Sequence, residues 1–276
     1  MSDLPQTRYL HGTHAEEQAR LQTLNALINV HTLAEIAPRT GERLIDFGCG
    51  LGQFTRAFAR RAGAPALGLD RSPEQLALAR TLAEYDGERD LVEFRVGDVH
   101  APPLAASEQG GFDVAYARFV LEHVPQPERV VAAMAAALAP GGRLVLEDDD
   151  HETLQLWPEP PGVMPLWRAY TRTYDRMGAD PYVGRRLVQL MHDAGVQPQR
   201  IAQLPFGACS GDATFVPLVV NLGGLFDSAR DAILATGAFD AVGFDAAQAA
   251  LEAFGERPDA AFWYTRRYAE GVKPRA

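Results

Sequence analysis

The sequence predicts an α/β fold in which helices flank a parallel sheet, and three observations carry that prediction. An apolar burst, Arg43-Leu44-Ile45-Asp46-Phe47, runs into Gly48-Cys49-Gly50-Leu51-Gly52 and then directly into a helical pattern, which reads as strand, tight turn, helix. Short apolar stretches ending at Asp46, Asp70 and near Asp98 alternate with helical spacing. Pro140-Gly141-Gly142 then separates an alanine-rich helix from another apolar run, Leu144 to Leu146. Strands and helices alternating in this way build parallel sheets, and parallel strands bring their C-terminal ends, here with the three acids, to one edge.

The turn after the first strand suits a nucleotide-like ligand. Glycine permits positive φ and removes the Cβ that would hold a ligand off, while a helix starting near Gly52 points free N–H groups over the turn. A dinucleotide fold wants G-x-G-x-x-G so that pyrophosphate can rest on the helix start. Here the glycines run G-x-G-x-G, with Asp46 two residues upstream. This pattern resembles the first motif of class I S-adenosylmethionine-dependent methyltransferases. Their sulfonium cofactor carries no phosphate but does carry an ammonium, which an acid can hold. The resemblance sets Asp46, Gly48, Cys49, Gly50 and Gly52 against that cofactor.

The resemblance continues through the next strands. Ala66 to Asp70 reads as the second strand, and an acid at its end, some twenty residues past the glycines, is where a ribose is gripped through its two hydroxyls. Ser72 followed by Pro73 is the helix start, which leaves Asp70 free, with Arg71 beside it. Leu91 to Val99 reads as the third strand running into a loop; in the resembling family an acid placed like Asp98 accepts the adenine amino group, and Val99 packs on the ring. Before the first strand, Thr13 and Glu16 form a capping box for a helix that Pro38 ends. In many methyltransferases such a segment folds over the cofactor, so Tyr9 and His11 either contact it as lid residues or only anchor the helix.

Phe112 to Ala117 is the expected fourth strand, followed by Arg118-Phe119-Val120-Leu121-Glu122-His123-Val124-Pro125. That wording resembles the small-molecule branch that includes ubiquinone and menaquinone methyltransferases. The Asn/Asp-Pro-Pro-Tyr/Phe cluster of amino-methylating nucleic-acid enzymes is missing, as is the Pro-Cys nucleophile of cytosine chemistry. Arg118 either binds a carboxylate of cofactor or substrate or pairs with Glu122 four residues on. His123 is read as structural.

Arg143 to Glu147 is the fifth strand, and Asp148-Asp149-Asp150-His151 follows at the end where an open α/β sheet places its substrate. A divalent metal would suit such oxygens, as in catechol-type O-methyltransferases. That arrangement also needs an acid at the tip of the fourth strand, where Ala117 and Arg118 stand, so no metal is expected. The other reading is direct work on substrate, with Asp148 or His151 taking a proton and Asp149 binding the acceptor. A solvated acidic turn is the bland alternative.

Trp157 to Gly162 is too proline-rich for regular structure and opens an insertion. In the resembling family a substrate cap is built there, so Trp157, Trp167, Tyr170 and Tyr174 become candidate wall residues, or they simply pack the cap. Arg200 to Pro205 reads as the sixth strand, Phe215 to Thr236 and Phe244 to Phe254 as helices, and Ala260 to Thr265 as the last strand. The resemblance implies a Rossmann-like class I methyltransferase fold: seven strands, mostly parallel, the last antiparallel, with a helical cap inserted after strand five. One domain is expected, with a lid over residues 1–40, a cofactor core over 41–150, the cap over 151–198 and the rest of the sheet, with a helical insertion, over 199–276.

Composition narrows the function. The 276 residues are 47% hydrophobic and carry a formal net charge of −10, which suits a buried core and argues against nucleic acid as partner, since no basic stripe is visible. Two cysteines, Cys49 and Cys209, make no disulfide framework. The N-terminus lacks a signal-peptide layout and no apolar run approaches a membrane span, so a cytoplasmic protein is expected, and nothing in the sequence speaks against a homodimer. The expected activity is methylation of a small molecule at O, N or C by in-line transfer from S-adenosylmethionine, in which alignment and a dry site do most of the work. Its rivals are a cofactor-binding protein of the same fold that methylates nothing or catalyses a rearrangement, and a nicotinamide oxidoreductase.

Overall fold

The computed structural model describes Asn25 and residues 28–275, so Tyr9, His11 and the Thr13–Glu16 capping box lie outside the described residues. Residues 28–36 form a helix (α1). Four strands with their helices follow: β1 (Leu44–Phe47), α2 (Gln53–Ala62), β2 (Ala66–Asp70), α3 (Pro73–Tyr85), β3 (Val92–Val96), β4 (Phe112–Arg118) and α4 (Pro127–Ala137). Next come β5 (Leu138–Asp149), β6 (Gln155–Trp157), α5 (Val163–Thr171), α6 (Leu187–Asp193), β7 (Gln197–Pro205) and β8 (Ala208–Cys209). The chain closes with α7 (Phe215–Ser228), α8 (Arg230–Ala235), α9 (Ala241–Gly255), β9 (Ala261–Trp263) and β10 (Thr265–Val272).

Seven strands form the main sheet in the order β3-β2-β1-β4-β5-β10-β7. The first five are parallel, and β10 runs antiparallel to both β5 and β7. This is the expected Rossmann-like arrangement with an antiparallel last strand. Its strands read as continuous apolar runs because both faces are covered. Ile45, Ala115, Ala117 and Leu146 pack with Val130, Met134, Leu187 and Met191 of α4 and α6. Leu44, Val114, Tyr116 and Val145, one residue out of phase, pack with Leu33, Ile36, Phe54 and Phe58 of α1 and α2.

A second core holds the cap. Leu156 of β6, Leu166, Trp167 and Tyr170 of α5, Phe215, Leu222 and Phe226 of α7, Ile233 of α8, Phe244 and Phe254 of α9, and Phe262 of β9 are buried together. Two excursions build it, one after β5 and one after β7, while α6 lies with the sheet. The helix expected over Phe215 to Thr236 breaks at Ala229 into α7 and α8.

The last strand is corrected. Ala260 to Thr265 contains not the end of the main sheet but β9, the middle of a small sheet ordered β6-β9-β8. The main sheet's antiparallel strand starts at Thr265 and was hidden by its charges. Arg266 is wholly buried and paired with Glu147, and Glu270 is buried and paired with Arg143. Glu147 also accepts from Thr32 at 2.9 Å and from the Tyr116 hydroxyl at 3.1 Å, which ties α1 to the sheet. Among the described residues no helix is long and apolar enough to cross a membrane.

Candidate functional site

The turn between β1 and α2 is built as its glycines demand. Gly48, Gly50 and Gly52 have φ of +73°, +53° and +67°. A Cβ on Gly48 would stand 2.5 Å from Val120 and one on Gly52 2.3 Å from the Phe94 ring. The N–H groups of Gly48 and Cys49 bond the Leu69 carbonyl at 2.8 and 2.9 Å, which fixes the turn to the end of β2. No side chain caps α2, so its first turn faces the sheet edge with donors to offer. Cys49 is half-buried beneath, and burial pushes its thiol well up, which suits packing and not nucleophilic chemistry.

The three acids differ in their surroundings. Asp46 is buried, accepts from the Thr55 hydroxyl at 2.6 Å, and is pushed up to about 6 by burial. Asp70 is not free as the sequence suggested: its two oxygens accept from Gly50 N and Ser72 N, each at 2.9 Å. Ser72 does cap α3, accepting from Gln75 N, so both roles are filled side by side. Burial raises the Asp70 pKa against those N–H bonds and that of Arg71. Arg71, next in the chain, is exposed. Asp98 is the most open of the three; it bonds His100 Nδ1 at 2.8 Å, and His100 Nε2 reaches the Pro125 carbonyl at 2.8 Å. Val99 packs against the sheet core.

Arg118, at the tip of β4, does not pair with Glu122. Its Nη2 donates to Asn25 Oδ1 at 2.7 Å and its guanidinium lies over the Phe54 and Phe119 rings at 5.6 and 5.9 Å. Its Nη1 is buried and has no partner. The guanidinium is close enough to Asp46 to draw that acid's pKa down against burial. Arg118 thus ends β4, the strand paired with β1 through Phe47 and Ala117, with a vacant donor and a charge felt by Asp46.

A second constellation lies where β4 and β5 end. Phe119, at φ +55°, turns the chain sharply out of β4, and the 3-10 turn Leu121–His123 brings Glu122 back against the end of β5. Such a backbone costs about 1 to 2 kcal/mol in a non-glycine residue. Glu122 Oε2 lies 3.0 Å from His151 Nε2 and accepts from the Tyr174 hydroxyl at 3.1 Å, and Asp149 Oδ2 lies 3.7 Å from the same Nε2. His123 Nε2 is 3.4 Å from Glu122 Oε1. Trp167 donates its indole N–H to the His151 carbonyl at 2.6 Å, and the rings of Trp167, Tyr170 and Tyr174 surround the imidazole at centroid distances of 4.8, 5.8 and 5.2 Å.

Charge at this cluster follows from its contacts. Burial would push His151 down, but Asp149 and Glu122 outweigh it and hold it up at about 9. Glu122 is held at about 2 despite burial, by His123 and His151. Burial pushes Asp149 up to about 6 against its contact with His151. The two carboxylates favour positive charge at the point between them.

The acidic run is divided by the strand's alternation. Asp148 points to the other side, where it accepts from Leu121 N at 2.9 Å and burial drives its pKa well up; it braces the turn and stands apart from His151. Asp150 pairs with Arg185 and Arg267. Trp157 is 70% exposed on β6, away from the other aromatic candidates. Glu122, which the sequence offers only as a partner for Arg118, places an acid just past the end of β4, in the turn Leu121–His123. Its signal was position, one turn past a strand end, which becomes visible only with Phe119 in the left-handed region.

A family of methyltransferase domains matches residues 17–200 of this chain. The chain belongs to that methyltransferase family. The ubiquinone biosynthesis O-methyltransferase of Xanthomonas axonopodis pv. citri is 36% identical to it over 129 residues, 47% of this chain and 52% of that protein. The chain spans about half the length of the curated relatives it matches. Among solved structures, the geranyl diphosphate C-methyltransferase of Streptomyces coelicolor A3(2), in complex with Mg²⁺, geranyl diphosphate and S-adenosylhomocysteine, matches with TM-score 0.56 and 16% identity, covering 96% of this chain and 86% of that one. The [4+2]-cyclase SpnF matches with TM-score 0.56 and 20% identity, covering 98% and 86%. At these identities the two structures share a fold with this methyltransferase-family chain, and one of them is named for a reaction other than methyl transfer.

Proposed function

We propose that this protein is an S-adenosylmethionine-dependent methyltransferase acting on a small-molecule acceptor. The observation that carries the reading is the juxtaposition of Arg118 and Asp46. An amino-acid end has a carboxylate and an ammonium, and the buried, unpartnered Nη1 of Arg118 at the end of β4, with the Asp46 carboxylate on the neighbouring strand β1, offers one group for each. A nicotinamide dinucleotide has no such zwitterion, and the turn lacks the third glycine spacing it needs. The Asp70 carboxylate suits the ribose hydroxyls, and Asp98 with Val99 suits the adenine edge and face.

The cofactor supplies an electrophilic methyl group on a sulfonium. The chain's own residues then have to hold the acceptor in line with it and keep water out. The ends of β4 and β5, roofed by Trp167, Tyr170 and Tyr174 of the cap, are the part of the sheet edge where an acceptor would stand. The net charge of −10 and the relatives named for ubiquinone biosynthesis support a small molecule over a nucleic acid. The test is incubation with S-adenosylmethionine and a panel of phenols, carboxylic acids and amines. Acceptor-dependent accumulation of S-adenosylhomocysteine supports methylation. Cofactor binding with no S-adenosylhomocysteine formed would instead favour a non-methylating member of the same fold.

A further inference from the structure

Glu122, Asp149 and His151 come from two different strand ends yet converge, each offering one donor atom, with the three atoms within 4.8 Å of one another. Around a first-row ion with bonds of about 2.0 to 2.2 Å, adjacent donors sit roughly 3 Å apart and opposite ones roughly 4 Å apart. The His151 Nε2 distances of 3.0 Å to Glu122 and 3.7 Å to Asp149 fall in that range. We propose that these three side chains form a binding site for one divalent first-row cation of the Mn²⁺ class, at the junction of β4, β5 and the cap.

Two further observations point to a ligand there. Tyr264 is 8% exposed, and its hydroxyl approaches Asp149 without reaching good hydrogen-bond geometry with any group, under the charges of Asp149 and Glu122. Asp149 keeps a buried Oδ1 that likewise has no partner. Buried polar atoms are almost always satisfied; this loose Tyr264–Asp149 contact leaves both groups short of a well-placed partner, which an ion with its remaining waters would supply. The surroundings also fix the donors. Tyr174 holds Glu122, Tyr170 stacks on the imidazole, and Trp167 lies tilted against it while its indole N–H grips the His151 carbonyl. Partners of this kind orient ligands in metal sites. The His151 Nδ1 is buried without a partner, so stacking and the backbone bond set the ring orientation. Two carboxylates with one imidazole suit Mn²⁺, Fe²⁺ or Zn²⁺ better than Ca²⁺ or Mg²⁺, which prefer oxygen alone.

The test is a titration of the full chain, stripped with chelator and free of cofactor, with Mn²⁺ followed by the electron paramagnetic resonance signal of the free ion, and in parallel with Zn²⁺ by calorimetry. One saturable site is expected, weakened at least about tenfold in Glu122→Gln and Asp149→Asn and unchanged in Glu252→Gln on the exposed face of α9. Variants that still bind S-adenosylhomocysteine like the wild type are folded. Should a variant fail to fold, pulsed resonance on the wild-type Mn²⁺ complex decides: imidazole nitrogen coupling supports the site and its absence overturns it. No saturable binding of either ion at millimolar concentration, or binding indifferent to both substitutions, also overturns it. Because the ion is added without cofactor, failure here leaves the methyltransferase reading standing, and loss of cofactor binding would leave the metal site standing.

Discussion

The backbone N–H of Gly50 donates to the Asp70 carboxylate at 2.9 Å, joining the glycine turn after β1 to the end of β2. One acid thus shapes the turn, and in the proposed reading it also receives the ribose hydroxyls. Asp70→Ala is expected to weaken S-adenosylhomocysteine binding by about ten- to a hundredfold, because the ligand loses charge-assisted hydrogen bonds worth about 1.5 to 3 kcal/mol. Calorimetry checks this, and unchanged affinity rejects the assignment.

Arg118→Leu should separate the two ends of the cofactor. Loss of a half-buried guanidinium should cost S-adenosylhomocysteine about tenfold or more in affinity. The affinity for 5′-methylthioadenosine, which has the adenosine but no amino-acid end, should barely change. Equal losses for both ligands would place Arg118 elsewhere in the site.

Cofactor affinity should depend on pH through Asp46. Burial lifts its pKa to about 6, above the model-peptide value of 3.8, so the folded apoprotein binds this proton more tightly than the unfolded chain does. From this group alone, apoprotein stability rises as pH falls through 6. Binding of an ammonium needs the charged carboxylate, so affinity should be flat above pH 7 and fall by up to about tenfold per pH unit below 6. Calorimetric titrations from pH 5 to 8 give the profile, and a flat profile in Asp46→Asn supports the attribution.

The glycines of the turn should respond unequally to alanine. All three sit at positive φ, which costs an L-residue about 1 to 2 kcal/mol. A Cβ at Gly50 meets only the flexible end of Gln75 at 3.3 Å, whereas one at Gly52 would enter the Phe94 ring. Gly52→Ala should therefore lose about 1 to 3 kcal/mol more than Gly50→Ala in urea unfolding.

Arg266 and Glu147 form an ion pair with no exposed surface on either side chain. Arg266→Met alone should destabilise the protein by about 3 to 5 kcal/mol, since it strands a buried carboxylate, and Arg266→Met with Glu147→Leu should recover much of that loss. Thermal unfolding of the single and double variants measures both.

What the sequence made legible was local. The glycine turn, Asp46, Asp70 and the Ser72 cap lie within a few residues of the strand ends that define them, and the order of strands follows from their alternation with helices. The last strand was missed because Arg266 and Glu270 are buried by partners 119 and 127 residues away in the chain, which no local pattern reveals. Asp148 and Asp149 look equivalent as letters, and only the pleat of β5 sends one to brace Leu121 and the other to His151. Glu122 joined the cluster through a backbone turn at Phe119 that its residue type does not announce. The aromatic candidates divided on burial: Trp167, Tyr170 and Tyr174 pack the cap, while Trp157 faces solvent.

In the proposed reading the sheet edge next to the glycine turn holds an adenosine bearing an amino-acid end. Calorimetric titration of the wild-type chain with S-adenosylhomocysteine tests it most directly. Saturable binding of one equivalent is expected, lost on combining Asp70→Ala with Arg118→Leu. Absence of heat with this ligand, alongside saturable binding of a nicotinamide dinucleotide, would contradict it.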